Sequence, residues 1–559
     1  MANLNDIKLK IELPAELVKY LHTSESLIWG TKLTEPVKAG VRSFRFYPVV
    51  WLGTEDKGLC FFAESRVNWK SPEKETYQLV KNQNTATLEV RLAGELKKGE
   101  EFVFDFGLLA SPVRPLPKNY PLNTFSSHFS APMNRPGKVP ASNIMIANSN
   151  GELGGYFGDL PTPDKSANGK VMRESIDLIQ KFGGRAIPYT CDRYLSNEYP
   201  EVAAFKDEWK ISPDQTLDYM RDGHKYFLYD CCPTTGASAF FMYKFQEMLK
   251  RFKPDGVYFD FGIVPFCSNK EHGCDQRSPL LGQREFYRRI ILCQLDAGIK
   301  EPVLVLHNTD SVQLPAITFA THLFNGEHIR QGSSTMLHNG KDILDNYDLT
   351  MFASELNSLP FGLTNSIYLP SDNLMPQYGG GKEPEDLYKF RMTKAVMAGG
   401  LIHNTMPALT RGHYGIYDKI IRVYDDFKVP EAKFYGYWEH PAQVKTGQDI
   451  YVSVYRHPTE PKALAVISHV GKAHQDQEIE VDFDSNLLGL KPLNHATDKM
   501  NAPDPDYAEL NNRLKQYQVP YTRTPLKLGD FGSELQSIKN NHLKMKLNHH
   551  SFAIVELTE

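Results

Sequence analysis

The chain has 559 residues, of which 41% are hydrophobic, 11% aromatic and 23% charged, a balance that suits a globular protein divided into about three units. Its 63 basic residues against 67 acidic ones give a formal charge of −4, which excludes the basic footprint of a nucleic-acid binder. No apolar run approaches the ~20 residues a membrane span needs, and the opening Met1-Ala2-Asn3-Leu4 lacks the basic and apolar regions of a signal peptide.

Residues 1–130 read as β structure. Residues 42–53, 85–92 and 101–106 alternate apolar and polar side chains with a period of two, the pattern of half-buried strands, and a β-sandwich is the packing that satisfies them. Six prolines between Ser111 and Lys138, at 112, 115, 117, 121, 132 and 136, predict a lead-in linker over the surface of the next unit.

From about residue 140 strands alternate with helices. Residues 185–190 and 225–230 predict short strands, and Phe241, Phe245, Met248, Leu249 and Phe252 form the stripe of one helix. A strand ending at Asp260, a helix over 283–296 and a strand over 302–307 follow, with further strand tips expected at 323–327, 350–355 and 401–404. This α/β repetition over 131–425 predicts a central (β/α)8 TIM-type barrel. A doubly wound sheet is the competitor, but no Gly-rich dinucleotide loop supports it. After residue 426 strands return at 449–455, 463–467, 478–483 and 551–557, predicting a C-terminal β-sandwich domain over 426–559.

In a β/α barrel the reactive groups project from strand C-termini. The segment from Phe252 to Gly262 is the clearest instance: Pro254-Asp255-Gly256 is turn chemistry, Val257-Tyr258-Phe259 favours extended backbone, and Asp260 stands at the tip. Its expected partner is Glu327, which follows Asn325-Gly326 67 residues on, about two β/α units away. Two carboxylates across one barrel mouth match the requirement of glycosidic cleavage, in which one acid protonates the departing oxygen and the other attacks the anomeric carbon or activates water. Asp230, Tyr258, His307, Asn308, His328, Arg330, Glu355 and His403 are expected to line the substrate. Each has a plainer alternative: the carboxylates can accept helix amides, the histidines can be satisfied core residues, and Arg330 can pair with Glu327. No nucleophile elbow, zinc-protease helix or phosphate loop competes, and no cofactor or catalytic metal is expected.

Seven cysteines are too few for a disulfide scaffold. Cys267, His272 and Cys274 supply three of the four ligands a structural zinc needs; a disulfide or free buried thiols are the alternatives.

Four stretches carry a family resemblance: Trp51–Ser65; Asp255–Gly262 with Cys267 and His272-Gly273-Cys274; Leu306-His307-Asn308-Thr309; and Phe324–Arg330, with Leu359–Leu363 behind. The combination resembles glycoside hydrolase family 123-like proteins, a resemblance that implies an N-terminal β domain, a barrel and a C-terminal β domain. Characterised members of that family are similar to other hexosaminidases in using an adjacent Asp-Glu pair, the Glu as acid and the Asp orienting the acetamido group that attacks. Here Asp260 is followed by Phe261, which leaves the second carboxylate to Glu327 or another strand-tip acid. The expected function is a glycosidase that removes a terminal sugar of galactose or N-acetylgalactosamine type from a bacterial glycan-degrading system. The alternative is an inactive carbohydrate-binding protein on the same scaffold. A periplasmic or extracellular location is expected, with the cytoplasm as the alternative.

Overall fold

The computed structural model describes residues 4–24, 34–71, 73–127, 144–147, 166–181, 183–221, 224–309, 312–327, 348–369, 385–408, 412–471, 475–501, 508–516 and 531–559. Two sheets open the chain. One is antiparallel, in the order Leu4–Pro14, Thr85–Leu96, Tyr77–Lys81, Gly40–Phe44; the other runs Thr34–Pro36, Tyr20–Ser24, Val49–Gly53, Gly58–Phe62, Gly107–Ser111. The strand Val49–Gly53 is buried along its whole length, and its period of two explains why. Val50 and Leu52 join Leu79, Leu88 and Val90 in the core between the sheets. Val49 and Trp51 face the other way, into the core of the central unit with Phe361. Residues 101–106, expected as a strand, are not one; pairing starts only at Gly107, while Phe104 packs its ring against Trp69 at 4.7 Å.

The central unit is built on a seven-stranded sheet in the order Phe125–Ser127, Ile144–Ala147, Arg185–Cys191, Val257–Asp260, Leu304–Thr309, His322–Asn325, Thr364–Ile367. Every neighbouring pair is parallel. Beyond the last strand, Ile367 makes a parallel bridge to Pro407. The Thr124 hydroxyl, just before the first strand, lies 2.9 Å from Ser366 Oγ and 3.2 Å from the Pro407 carbonyl. Helices Gly236–Phe252 and Leu280–Asp296 cover the outer face through Phe241, Phe245, Phe286 and Ile290. Thr235 caps the first by accepting the Ala237 N–H, and Lys253 ends it with a left-handed conformation.

Three expected strand tips of this unit are corrected. His224–Asp230 is a strand, but it is the middle one of a separate antiparallel sheet between Tyr194–Ser196 and Leu217–Arg221. Residues 349–354 form a helical turn, because Asp348 accepts the Met351 N–H and caps it. Residues 402–404 are a turn closing helix Glu385–Leu401. The parallel strand overlooked in this region is Thr364–Ile367, whose polar Thr-Asn-Ser carries no apolar run to reveal it.

The C-terminal sheets have the orders Lys433–Tyr435, Ile450–Arg456, Lys462–His469, Phe552–Thr558, His495–Asp498 and Ala442–Thr446, Gln477–Phe483, His542–Leu547, Ser533–Lys539. Here too one strand, Lys462–His469, is covered on both faces. Ala463, Ala465 and Ile467 point into the space between the sheets with Val481 and Leu543. Leu464 and Val466 point onto Val396 of helix Glu385–Leu401 and Ile420 of helix Tyr414–Phe427.

Candidate active site

Three consecutive parallel strands deliver three side chains to one place. Asp260 ends Val257–Asp260, His307 lies on Leu304–Thr309, and Glu327 follows His322–Asn325. Backbone geometry at each tip aims the acid. Phe261 adopts a left-handed φ of 54°, and its N–H turns back onto Asp260 Oδ1 at 3.0 Å. Gly262 then passes against Leu306, where an added Cβ would stand 2.8 Å from that side chain, and its N–H bonds the His307 carbonyl. Gly326 has φ 108°, closed to other residues without strain. Asn325 fixes the turn through Oδ1, which accepts the Gly326 N–H at 2.8 Å.

His307 bridges the two carboxyl groups. Its Nδ1 lies 2.9 Å from Asp260 Oδ1 and its Nε2 3.0 Å from Glu327 Oε2. Both nitrogens face acceptors, so the ring satisfies both at once only as an imidazolium, or one acid carries the proton instead. Aromatic rings hold the imidazole in place: Phe324 at 4.7 Å, Tyr368 stacked at 6.0 Å and Tyr258 at 6.2 Å. Burial works to lower the basicity of His307, but the hydrogen bonds and charges of Asp260 and Glu327 outweigh it and raise its pKa to about 9. For Asp260, burial works upward. The His307 hydrogen bond and charge, the Tyr189 hydroxyl and the Phe261 amide overcome it, and the carboxyl ends below its ordinary value. Tyr189 donates to Asp260 Oδ2. It comes from the adjacent strand Arg185–Cys191, stacked on Tyr258 at 5.0 Å. Sequence reasoning missed Tyr189, since which strand neighbours Asp260 is a tertiary fact.

The other expected residues fall into groups. Tyr258 is part of the aromatic wall around His307, and Asn308, the next residue along that strand, is fully buried. Asp230 stands apart from the parallel strand tips, on the antiparallel sheet, fully buried and 3.0 Å from Arg193 Nε. Burial pushes it up to about 6 despite that guanidinium. Arg193 also donates to the Phe261 and Ile263 carbonyls, so the pair braces the backbone that leaves Asp260. Glu355 ends a helical turn, not a strand; its carbonyl accepts the Asn325 and Asn365 amides, and its carboxylate accepts from Thr34 of the N-terminal sheet at 3.4 Å. His403 is buried in the turn after its helix. Nδ1 donates to the Gly399 carbonyl, Nε2 lies 3.3 Å from the Tyr437 hydroxyl, and burial lowers its pKa to about 4. Those surroundings make it a joint between the central and C-terminal units. His328 and Arg330 lie outside the described residues.

Residues 417–515 match the family described as "Glycoside hydrolase 123, C-terminal domain". A comparison with curated proteins gives no match. Among solved structures, the chain is similar to the galactosidase domain of an α-galactosidase–sucrose kinase, at 12% identity and TM-score 0.46, covering 99% of this chain and 75% of that one. It is similar to a family 36 α-galactosidase from Geobacillus stearothermophilus in complex with stachyose, at 10% identity and TM-score 0.47, covering 96% and 76%. It is also similar to a maltogenic α-amylase from Thermotoga neapolitana, at 10% identity and TM-score 0.44, covering 79% and 100%.

Proposed function

We propose that this chain, which carries a glycoside hydrolase family 123 C-terminal domain over residues 417–515, hydrolyses a terminal glycosidic bond with Asp260 and Glu327 as its two carboxylates. The matched domain supports a glycosidase with a glycan substrate. The single observation that carries the assignment of residues is the His307 bridge, which sets one imidazole between two strand-tip acids, 2.9 Å from Asp260 Oδ1 and 3.0 Å from Glu327 Oε2.

The roles follow from the surroundings. Asp260 accepts hydrogen bonds from Tyr189, His307 and the Phe261 amide and sits below the ordinary carboxyl pKa. A carboxylate held ionised in this way suits attack on the anomeric carbon or activation of water. Glu327, on the far side of His307, then takes the proton that the His307 imidazolium carries and passes it to the departing oxygen. His307 is a positioning residue that fixes both acids and holds the proton between them. The reading takes the parallel sheet as a barrel with its eighth position at Pro407. Phe125, Ile144, Ile187, Tyr258, Val305, Phe324, Tyr368 and Ala408 support it, since one apolar cluster draws a residue from each of the first six strands and from the positions just after Ile367 and Pro407. It also takes the flanking sheets as separate β domains of a three-part chain.

The test is a screen of aryl glycosides, galactosides and N-acetylgalactosaminides included, followed by Asp260→Asn and Glu327→Gln in the substrate that is turned over. Each variant should lose about 10²–10⁴-fold in kcat with its circular dichroism unchanged. Near-wild-type rates in both would remove these residues from the chemistry. Glycan binding without any product would instead make the chain a carbohydrate-binding protein.

A further inference from the structure

A second cluster of reactive side chains lies away from His307. Cys232, Cys267, His272 and Cys274 place their ligand atoms within 4.8 Å of one another. We infer that these four residues bind one structural zinc ion.

The sequence offers only three of the four together; folding supplies the other. Cys232 follows the antiparallel strand His224–Asp230, 35 residues before Cys267. Its backbone N–H bonds the Trp209 carbonyl at 2.7 Å, and the Ser268 N–H bonds the Ser212 carbonyl at 2.7 Å. Those bonds draw the two segments into contact. The loop from Cys267 to Arg277 is closed by a reciprocal backbone bridge between its ends. Within it Asn269 caps the single turn Lys270–His272, and Gly273 exits with φ 78°, which returns Cys274 toward Cys267.

Three observations favour a metal over buried thiols or a disulfide. The Cys232 and Cys274 sulfurs are 3.7 Å apart, whereas a disulfide needs about 2.05 Å. A tetrahedral zinc with Zn–S of about 2.3 Å sets neighbouring sulfurs about 3.8 Å apart. The imidazole is already prepared for coordination: His272 Nδ1 lies 2.8 Å from the Glu208 carbonyl, to which it can only donate. That leaves the lone pair of Nε2 directed at the thiols, 3.2 Å from Cys267 Sγ. A ligating histidine whose other nitrogen donates to a carbonyl is the usual outer-shell arrangement of a zinc site. Finally, the sulfurs have donors poised for thiolates. The Asn269 N–H reaches Cys267 Sγ at 3.5 Å and the Thr234 hydroxyl reaches Cys232 Sγ at 3.1 Å. All three cysteines are buried, with Ile211 completing the cluster, and four protein ligands leave no open position. The site is therefore a closed structural one. It would staple the loop that begins seven residues after Asp260 to the hairpin carrying Asp230.

The experiment uses the full chain, purified without a metal-affinity tag. Elemental mass spectrometry should find one zinc per chain, reduced at least tenfold in Cys232→Ser and Cys274→Ser. A measurement on the unaltered protein stands beside these variants in case they fail to fold. After zinc is removed by a chelator and thiol reagent and the thiols are restored, added Co²⁺ should give the intense visible bands of tetrahedral coordination and a sulfur-to-cobalt charge-transfer band. Zinc should then abolish both. A zinc-free preparation whose apo form gives no such bands, or a disulfide among these cysteines found by peptide mapping, would overturn the assignment.

Discussion

His307 depends on its surroundings, because the two acids that flank it keep it charged against its burial. Its pKa is raised from 6.5 to about 9. The stability it contributes is therefore fully present below its unfolded pKa and is lost as pH rises through about 9. Asp260 has the opposite sign. Its folded pKa is depressed, so its contribution is present above the unfolded value and is lost as pH falls through the lower, folded one. Replacing His307 by Gln leaves two partly buried carboxylates without their shared cation, a loss of about 3–5 kcal/mol when a buried pair is broken. The difference in thermal midpoint between wild type and His307→Gln should be widest below pH 6.5, shrink steadily between pH 6.5 and about 9, and level off above. A gap unchanged across that range would contradict a charged His307. At this scale the sequence was informative where chemistry and turn signals coincide. Asp260 and Glu327 stand beside Phe261-Gly262 and Gly326, and glycines at strand exits are visible in one dimension. Tyr189 and Cys232 were not, because each joins its site only through neighbours distant in sequence.

Among the elements, the strands that read most clearly are those that pack on two sides. Val49–Gly53 lies between two cores, and its flanking glycines make room for the large ring at its centre. A Cβ at Gly58 would meet the Trp51 indole at 2.5 Å, and at Gly53 at 2.3 Å. The indole Nε1 donates to Ser111 Oγ at 3.0 Å, so the ring cannot swing aside without losing a buried hydrogen bond. Gly58→Ala should cost about 1–3 kcal/mol through overpacking, seen as a lowered thermal midpoint, and an unchanged midpoint would mean that the ring has room to move. The elements misread were short and decided by one polar group. Asp348 turns the strand-like Met351-Phe352-Ala353 into helix by capping it, and Thr364–Ile367 pairs as a buried strand despite polar side chains because His322–Asn325 pairs with it along its whole length and Ile367 is bridged to Pro407 beyond. Local propensity is a weak argument over four residues.

Across the whole molecule, polar relays as well as apolar faces join the units. His22 Nε2 accepts the Val312 N–H at 3.2 Å, its Nδ1 lies 2.8 Å from Thr34 Oγ1, and that hydroxyl donates on to Glu355. Asn357 Nδ2 donates to the Glu55 carbonyl at 2.7 Å. On the other flank, the Tyr455 hydroxyl donates to Asn404 Oδ1 at 2.8 Å and the Ser453 hydroxyl to the Ile402 carbonyl at 2.7 Å. The alternation that announced two flanking β units was legible in the sequence. That each would lend a sheet to its neighbour's core was not, since an apolar strand does not say what covers its second face.

The sheets bearing Val49–Gly53 and Lys462–His469 are party walls, shared by the rooms on either side. A wall of that kind cannot come down for one room alone: peeling away Val49–Gly53 takes Trp51 from one core and Leu52 from the other, and losing Lys462–His469 takes Leu464 from one and Ala465 from the other. Calorimetry should accordingly record a single endotherm for the chain, where beads on a string would melt in three. Splitting of that peak would reveal which wall gives way first.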